Sequence, residues 1–455
     1  MHKLSIFSLV LLVVSAIDSI RNLPATAIFG SSLIFFFLLA AILFLIPISL
    51  VSAEFASRFP HEGGAFHWVR HAFGEKMGVL AVWLQWINTM VWYPTILSFI
   101  AGTAAYVIHP GLSSNKWFLS AAILVVFWTL TILNLRGIHL SAKINTYCGI
   151  FGLFIPIALL ILLGFGWVLS GHPLQISFGL NELLPSLAQS DHWTSLIVVM
   201  ACYLGMELSG VHVSDIDNPQ KNYPKAMFYA VLILLSTMIF GALAIAIAIP
   251  QNEIHFVDGI MQTFSQFFEV FGLTFLLPPL AVLIILGSSG GLINWLLSPA
   301  KGLLQAADYG YLPRFFMVKN AHGVPQRILF TQAVLVSFFC LAFTIFPSVN
   351  AFYWFLTALS TGLYMLMYIL LFCAALKLGR PHKETLAYRM PRGIRRLMCF
   401  MGLFGSILTI VIGFQPPAGI DFGGAAYYTK LIAFGTLLMV SPVFLLWLHQ
   451  KRNSR

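Results

Sequence analysis

Charged side chains are scarce in this 455-residue chain. Asp, Glu, Lys and Arg make up 9% of its residues, hydrophobic residues make up 59%, and the mean hydropathy is +0.89. A soluble globular domain carries roughly 25% charged residues. The deficit excludes a water-soluble globular protein, because such a chain could not cover its surface with side chains that favour water.

Cysteine and catalytic motifs are scarce as well. No CxxC pair occurs, so the sequence supports neither a disulfide framework nor a zinc site. We find no Walker loop, no HExxH motif and no nucleophile–histidine–acid grouping, and therefore expect no metal, no cofactor and no enzyme activity. The five cysteines are scattered through or beside apolar segments, at Cys148, Cys202, Cys340, Cys373 and Cys399.

Long apolar runs, in contrast, recur along the whole chain. Many approach the ~20 residues that a helix needs to cross ~30 Å of hydrocarbon, and lipid cannot satisfy exposed backbone groups. The sequence therefore predicts an all-α integral membrane protein with twelve transmembrane segments, numbered 1 to 12. Their predicted bounds are 4–30, 32–56, 77–107, 116–135, 145–169, 193–216, 225–249, 272–297, 326–346, 350–376, 398–415 and 427–448.

The net charge of +10 is distributed unevenly. If the N-terminus lies inside and the connections alternate, only Lys116 and Lys430 fall on the outer side. Positive loops stay in the cytoplasm, so we expect both termini there. The basic side also suits contact with anionic membrane lipid, and this explanation disfavours a nucleic-acid partner. The inner side receives Arg58, Arg70, Lys76, Arg136, Lys143, Lys221, Lys225, Lys301, Arg314, Lys319, Arg327, Lys377, Arg380, Lys383, Arg389, Arg392, Arg395, Arg396, Lys451, Arg452 and Arg455.

The beginning of the chain has two interpretations. Lys3, the apolar run after it and Val14-Ser15-Ala16 mimic a cleavable signal peptide. The apolar pattern resumes at Leu23, however, and leads into a short second half that ends near Gly30. We therefore expect a retained first segment that is broken.

Segment 1 is interrupted by the run Asp18-Ser19-Ile20-Arg21-Asn22-Leu23-Pro24. A charge at the bilayer centre costs at least ~2.5–3.5 kcal/mol, and a proline cannot donate a backbone hydrogen bond. In one interpretation Asp18 and Arg21, three residues apart, neutralise each other on one helical face. We favour the other, in which an unwound stretch lines a polar cavity.

Segment 6 repeats this anomaly. Glu207 lies in its middle, between Gly205 and Gly210. The carboxyl is either a structural group bonded to neighbouring helices or part of a site. Segments 1 and 6 would begin the halves of a five-plus-five repeat, and interruptions in corresponding positions indicate a transporter site. There the half-helix dipoles would face an anionic group such as an α-carboxylate.

Segments 3, 8 and 10 carry weaker signals. Gln85 and Thr89 in segment 3 are either packing residues or ligand contacts, and Trp354 in segment 10 is either a gate or an interfacial aromatic. The small residues 287–291 of segment 8 predict close helix approach rather than ligand contact. His61, His67 and His71 follow segment 2, where a solvated loop is favoured over a pH sensor.

Three stretches resemble motifs of the amino acid–polyamine–organocation superfamily, and they occur in the expected order. The first resembles its P-x-x-G-G-x-[YF]…A-F-G loop, the second its G-x-E…N-P…P-[RK]-A stretch, and the third its pattern in and after segment 8. They are Pro60-His61-Glu62-Gly63-Gly64-Ala65-Phe66 with Ala72-Phe73-Gly74; Gly205-Met206-Glu207 with Asn218-Pro219 and Pro224-Lys225-Ala226; and Gly287-Ser288 to Gly291 with Ala306-Ala307-Asp308-Tyr309-Gly310.

Residues 19–24 and 205–207 are most similar to bacterial glutamate/GABA antiporters. This resemblance implies a LeuT-like core over residues 1–376, built from two inverted repeats at about 1–169 and 193–376. Residues 377–455 would add a basic cytoplasmic loop, two peripheral helices and a short tail. It also implies a bacterial inner-membrane protein that exchanges an amino acid for a related amino acid or amine by alternating access.

The expected binding site lies at the two interruptions. We predict that Arg21 attracts a substrate carboxylate, that Glu207 couples helix movement to substrate or protons, and that Trp354 gates the site. The alternatives are a proton-coupled symporter of neutral amino acids and a nutrient sensor that binds a solute without moving it. The oligomeric state is left open. The predicted substrate contacts are Ser15, Asp18, Ser19, Arg21, Asn22, Gln85, Thr89, Tyr203 and Gly205.

Overall fold

A computed structural model describes most of the chain, and within that part it is helical and forms no β-strand. Ten helices are long and apolar enough to cross a membrane. The described residues are 5–60, 64–136, 149–185, 193–308, 310–311, 313–342, 346, 348–379, 388–417 and 420–453. The ten helices are Ile6–Ala27, Gly30–Arg58, Glu75–Ile108, Lys116–Leu135, Phe151–Leu169, Pro219–Ala248, Thr274–Leu304, Val349–Leu378, Arg392–Gly413 and Ala425–Leu448.

The remaining two predicted segments, 6 and 9, coincide with shorter apolar helices at Leu196–Gly210 and Gln326–Cys340. Segment 6 is short because its regular α-helix ends at Ala201. In segment 9 the described helix, Gln326–Ala342, has 17 residues. The all-α membrane architecture is confirmed, and in the described residues ten of the twelve predicted segments are helices long enough to cross a membrane.

In the described residues, helices of 9 and 13 residues lie between the segments at Ala65–Phe73 and Gly259–Phe271, and a single turn of helix lies at Leu180–Leu183. The first contains His67 and His71, so these residues lie on a helix rather than in a solvated loop. The His71 ring stacks on Phe59 with a centroid distance of 4.4 Å. His61 lies outside the described residues.

Segment 3 lies at the centre of the bundle and segment 12 at its edge. In the apolar stretch of segment 3, 72% of the residues are buried, whereas in the apolar stretch of segment 12 only 22% are buried. Segment 3 packs against segments 4, 8, 10 and 12, and segment 8 also packs against segment 5. Further packed pairs are 1 with 6, 1 with 7, 2 with 6, 2 with 7 and 4 with 9.

Two glycines bring segments 5 and 8 into backbone contact. A Cβ atom on Gly152 would lie 2.3 Å from the Cα of Gly287, and a Cβ on Gly287 would lie 2.3 Å from the carbonyl carbon of Gly152. Small residues allow membrane helices to approach in this way. The predicted packing role of the small residues in segment 8 is confirmed at Gly287.

The Gly152–Gly287 contact predicts the effect of one added methyl group. Gly152→Ala should force segments 5 and 8 apart and destabilise the protein by about 1–3 kcal/mol. The readout is the midpoint of thermal unfolding in detergent. Gly362→Ala is the matched control, since a Cβ on this helical glycine meets nothing within 4 Å. Equal midpoints for the two variants would contradict the packing.

Candidate substrate site

The backbone of segment 1 is broken at Asp18 and Ser19. One helix ends at Ile17, and both following residues are extended, with ψ values of 123° and 110°. A 3₁₀ turn over Ile20–Asn22 then leads into the helix Leu23–Ala27, with Pro24 in its first turn. A proline there loses no hydrogen bond, because the first N–H groups of a helix have no partner within it. The interruption predicted from the sequence is therefore present.

Segment 6 is broken at Gly205. Its α-helix ends at Ala201, Gly205 has a left-handed φ of 107°, and a 3₁₀ helix continues over Met206–Asp215. A Cβ at Gly205 would also lie 3.2 Å from both Leu208 and Trp295, so conformation and space together favour glycine. The predicted interruption is present, and the segment continues with i→i+3 rather than i→i+4 hydrogen bonds.

Side chains from other segments satisfy the backbone at both breaks. The Trp295 indole Nε1–H donates to the carbonyl oxygen of Ala16 at 3.1 Å. The backbone N–H of Gly205 donates to the Tyr368 hydroxyl at 2.8 Å. Segments 8 and 10 thus supply hydrogen bonds that the broken helices cannot make for themselves.

A cavity of about 50 Å³, which we call the Arg21 cavity, lies between the breaks and segments 3, 8 and 10. Arg21 is 5% exposed, donates from Nη1 to Thr95 Oγ1, and lies 5.2 Å over the ring of Trp92. No carboxylate of the described chain lies within ion-pair distance of its guanidinium. The lining residues are Ala16, Ile17, Ser19, Arg21, Asn22, Asn88, Trp92, Ala201, Leu204, Trp295, Thr357, Ser360, Thr361 and Tyr364.

Asp18 faces a second cavity of about 50 Å³, which we call the Asp18 cavity. Its Oδ2 accepts a hydrogen bond of 2.8 Å from Thr237 Oγ1 in segment 7. Asp18 and Arg21 form no ion pair, because the break directs them to different partners, so their mutual neutralisation is excluded. The cavity is lined by Ser15, Ala16, Asp18, Ser19, Ile20, Trp92, Ile96, Gly149, Gly152, Leu153, Gly287, Ser288, Gly291 and Trp295.

Glu207 is fully buried and joins three segments by hydrogen bonds. Its Oε1 accepts from Gln85 Nε2 at 2.9 Å and from the Tyr364 hydroxyl at 2.5 Å, and its Oε2 accepts from the Tyr368 hydroxyl. Bonds to an ionised acceptor are roughly twice as strong as neutral ones. The carboxylate therefore ties the break in segment 6 to segments 3 and 10.

The structure brings eight of the eleven predicted residues to these three places. Gln85 and Gly205 belong to the hydrogen-bond network of Glu207, which is itself among the eight. The others line the cavities: Asn22 and Arg21 the Arg21 cavity, Ser15 and Asp18 the Asp18 cavity, and Ser19 both.

The other three predicted residues line neither cavity and do not bond to Glu207. The Thr89 hydroxyl donates to the carbonyl oxygen of Trp86 at 2.6 Å. The Tyr203 hydroxyl donates to the carbonyl oxygen of Phe37 at 3.4 Å, so its ring packs on segment 2. Trp354 packs beside Phe256, with a centroid distance of 6.2 Å.

Several lining residues were not predicted as contacts, although helical periodicity would have indicated them. Asn88 and Trp92 follow Gln85 at i+3 and i+7, which places them on one face of segment 3. Ser360 Oγ donates to Asn88 Oδ1 at 2.5 Å. Tyr368 follows Tyr364 at i+4 and binds the same carboxylate. Trp295 had no local signal, because its role depends on a contact with segment 1.

A vestibule of about 860 Å³ opens at the end of the bundle that holds the connection between segments 1 and 2. Phe256 lines it and packs against Tyr353 at 6.1 Å and against Trp354. One turn further along segment 10, Thr357 lines the Arg21 cavity. An aromatic layer of Phe256, Tyr353 and Trp354 thus lies between the vestibule and that cavity.

His255 and Asp258 lie beside this layer, with 3.1 Å between Nδ1 and Oδ1. Asp258 raises the pKa of His255 above its ordinary value of 6.5, and partial burial opposes the rise. The pair therefore adds stability that is fully present below pH 6.5 and is lost as the pH rises through the raised pKa. Asp258 also lies near the phenol of Tyr106.

We expect the His255–Asp258 pair to add less than about 1 kcal/mol to the free energy of unfolding, because the imidazole is half-exposed. We expect the midpoint temperature of thermal unfolding of the purified protein to decrease as the pH is raised from about 6 to about 8. In Asp258→Asn the part of this fall due to His255 should disappear. An identical pH profile for the variant would contradict the assignment.

Comparison with known proteins also indicates a membrane transporter. The profile of the amino acid permease family matches residues 4–439. An uncharacterized transporter of Legionella pneumophila is 37% identical over 455 residues, which cover 99% of this chain and 97% of that protein. A glutamate/gamma-aminobutyrate antiporter of Lactococcus lactis is 28% identical over 461 residues, covering 99% and 92%. A probable agmatine/putrescine antiporter of that species is 24% identical over 388 residues, covering 84% and 81%.

The family profile matches nearly the whole chain, and two of the three relatives are named as antiporters of amino acids or amines. The predicted superfamily is confirmed, and with it the expectation that the protein is not an enzyme. The chain therefore belongs to the amino acid permease family of the amino acid–polyamine–organocation superfamily, and it is a multi-pass membrane transporter.

Proposed function

We propose that this permease is an antiporter of the bacterial inner membrane that exchanges a glutamate-like amino acid for a related amino acid or amine. Arg21 carries the proposal. It is a buried cation that lines a cavity at the two breaks, and it has no carboxylate partner in the described part of the chain. A buried unpaired charge is costly, and a solute carboxylate would compensate it through charge-assisted hydrogen bonds.

Helix packing supports a LeuT-like core for this exchange. If a pseudo-two-fold axis relates segments 1–5 to segments 6–10, each contact between two segments should recur between their symmetry mates. The contacts 3–10 and 1–7 have such counterparts in 8–5 and 6–2, and the contacts 1–6, 2–7, 3–8 and 4–9 are their own counterparts. Two inverted repeats, twelve spans and cytoplasmic termini are consistent with this packing and with the distribution of lysine and arginine.

The chemistry of the cavity favours a solute that bears a carboxylate. Glutamate and γ-aminobutyrate, named for one relative, both carry a carboxylate separated by three carbon atoms from an ammonium group. Agmatine and putrescine, named for another, are cations without a carboxylate. The guanidinium of Arg21 would repel such cations, so we place this permease with the first group.

Glu207 supplies a route for coupling. Alternating access moves the broken helices relative to the rest of the bundle. Segment 6 cannot move away from segments 3 and 10 without breaking the bonds of Glu207 to Gln85, Tyr364 and Tyr368. Substrate binding or protonation of the carboxylate would change the strength of these bonds and so bias the movement.

A proton-coupled symporter of neutral amino acids is the second candidate. It is favoured by the two buried carboxyl groups at the breaks, Asp18 and Glu207, either of which could carry a proton. Counterflow in reconstituted vesicles separates the two functions. Internal glutamate should accelerate uptake of labelled glutamate in an antiporter, whereas uptake driven by a pH gradient alone would indicate the symporter.

Removing the charge of Arg21 should weaken substrate recognition. A hydrogen bond to a charged group contributes ~1.5–3 kcal/mol, so we expect Arg21→Gln to raise the KM for glutamate about 10- to 100-fold in vesicles. Arg327→Gln is the matched control, because Arg327 also lies over an aromatic ring, that of Phe315, but is exposed and lines neither cavity. A wild-type KM for Arg21→Gln would refute the role of Arg21.

Removing the Glu207 carboxylate should abolish transport and leave folded protein in the membrane. Glu207→Ala breaks the links to segments 3 and 10, whereas Glu207→Gln keeps hydrogen-bonding atoms in place and should retain more activity. Glu269→Ala, on an exposed residue, serves as the control and should transport normally. Normal uptake by Glu207→Ala, measured beside its folded fraction, would rule out the coupling role.

A further inference from the structure

One oxygen of Asp18 has no partner. The residue is 4% exposed, and Thr237 binds Oδ2, but Oδ1 is buried without any hydrogen bond. Buried polar atoms are almost always satisfied, and an unsatisfied charged one is especially costly. A cationic ligand that donates a hydrogen bond to Oδ1 would satisfy this oxygen and compensate its charge.

The lining of the Asp18 cavity is suited to a cation. It contains one carboxylate, the hydroxyls of Ser15, Ser19 and Ser288, and no basic side chain. Ser15 donates its hydrogen to the carbonyl oxygen of Leu12 at 3.2 Å, so its own oxygen remains an acceptor. Gly291 leaves room there, since a Cβ on it would meet nothing within 4 Å. Oxygen acceptors around one negative charge suit a cation that donates several hydrogen bonds, as an ammonium group does.

The Asp18 cavity adjoins the Arg21 cavity. Ala16, Ser19, Trp92 and Trp295 line both, and the two tryptophan rings lie 5.0 Å apart. Asp18 and Arg21 are three residues apart, which limits the distance between their Cα atoms to about 10 Å. One small solute could therefore pass Ser19 and present opposite charges to the two side chains.

We propose that Asp18, with Ser15, Ser19 and Ser288, forms a subsite for the ammonium group of a solute whose carboxylate lies at Arg21. This inference rests on the proposed function. It assigns recognition to the element that glutamate and γ-aminobutyrate share, a carboxylate and an ammonium separated by three carbon atoms. Asp18 would thus bind the ammonium group of the solute, and Arg21 would bind its carboxylate.

The first test compares γ-aminobutyrate with butyrate, which lacks the ammonium group. Binding to the purified full-length protein is measured by calorimetry in sodium-free buffer. We expect the wild type to prefer γ-aminobutyrate by about tenfold or more, because a charge-assisted bond is at stake. Asp18→Asn should lose this preference and bind both with similar affinity.

A second variant fills the cavity and keeps the carboxylate. Gly291→Val should weaken binding of γ-aminobutyrate and leave that of butyrate unchanged. Gly362→Val is the control, because this helical glycine also has open space around its Cβ position but lines neither cavity. Thermal midpoints of all variants show whether each protein is folded.

The outcomes separate this inference from the proposed function. A preference for γ-aminobutyrate that persists in both Asp18→Asn and Gly291→Val would overturn the ammonium subsite. A sodium site would also overturn it. In that case sodium, but not choline, would raise the thermal midpoint of the substrate-free wild type, and Asp18→Asn would abolish this effect without changing the preference for γ-aminobutyrate. A wild type that takes up glutamate despite either result would leave the proposed exchange intact, whereas one that takes up no glutamate would overturn both.

Discussion

The structure depends on how the backbone is satisfied where segments 1 and 6 stop being helical. Lipid offers no hydrogen bonds, so an interruption at membrane depth survives only if protein or water pairs the freed groups. Trp295 binds the carbonyl oxygen of Ala16, and Tyr368 binds the N–H of Gly205. These two side chains fix segments 8 and 10 against the breaks. The Arg21 cavity lies where these four segments meet segment 3, and the Asp18 cavity lies between segments 1, 3, 5 and 8.

The same breaks decide what the charges do. In a continuous helix Asp18 and Arg21 would lie on one face and neutralise each other. The extended backbone at Asp18 and Ser19 instead directs Asp18 to Thr237 and Arg21 to Thr95, and the two charged residues line different cavities. Glu207, at the other break, has all its bonds inside the protein. Arg21 and Asp18 thus each line a cavity, whereas Glu207 connects segment 6 to segments 3 and 10.

The sequence was informative wherever a residue is costly by itself. Two charges and a proline in segment 1, and a glutamate between glycines in segment 6, predicted both breaks because lipid makes each of these residues expensive. The partners could not be predicted in this way. Trp295 is 279 residues from Ala16 and Tyr368 is 163 residues from Gly205, and an aromatic residue in an apolar helix has the same pattern whether it packs or binds. Tyr203 and Trp354 have this same pattern, and they pack against Phe37 and Phe256 without lining either cavity.

The most direct test of a wet pocket at the breaks is the reactivity of a cysteine at position 19, which lines both cavities. In a variant without the native cysteines, Ser19→Cys should react with a small hydrophilic thiol reagent, and glutamate should slow the reaction. Ser406→Cys, at a fully buried position in segment 11, should stay unreactive. If Ser19→Cys reacted no faster than Ser406→Cys, the breaks would face packed protein, and the account of a shared polar pocket would be wrong.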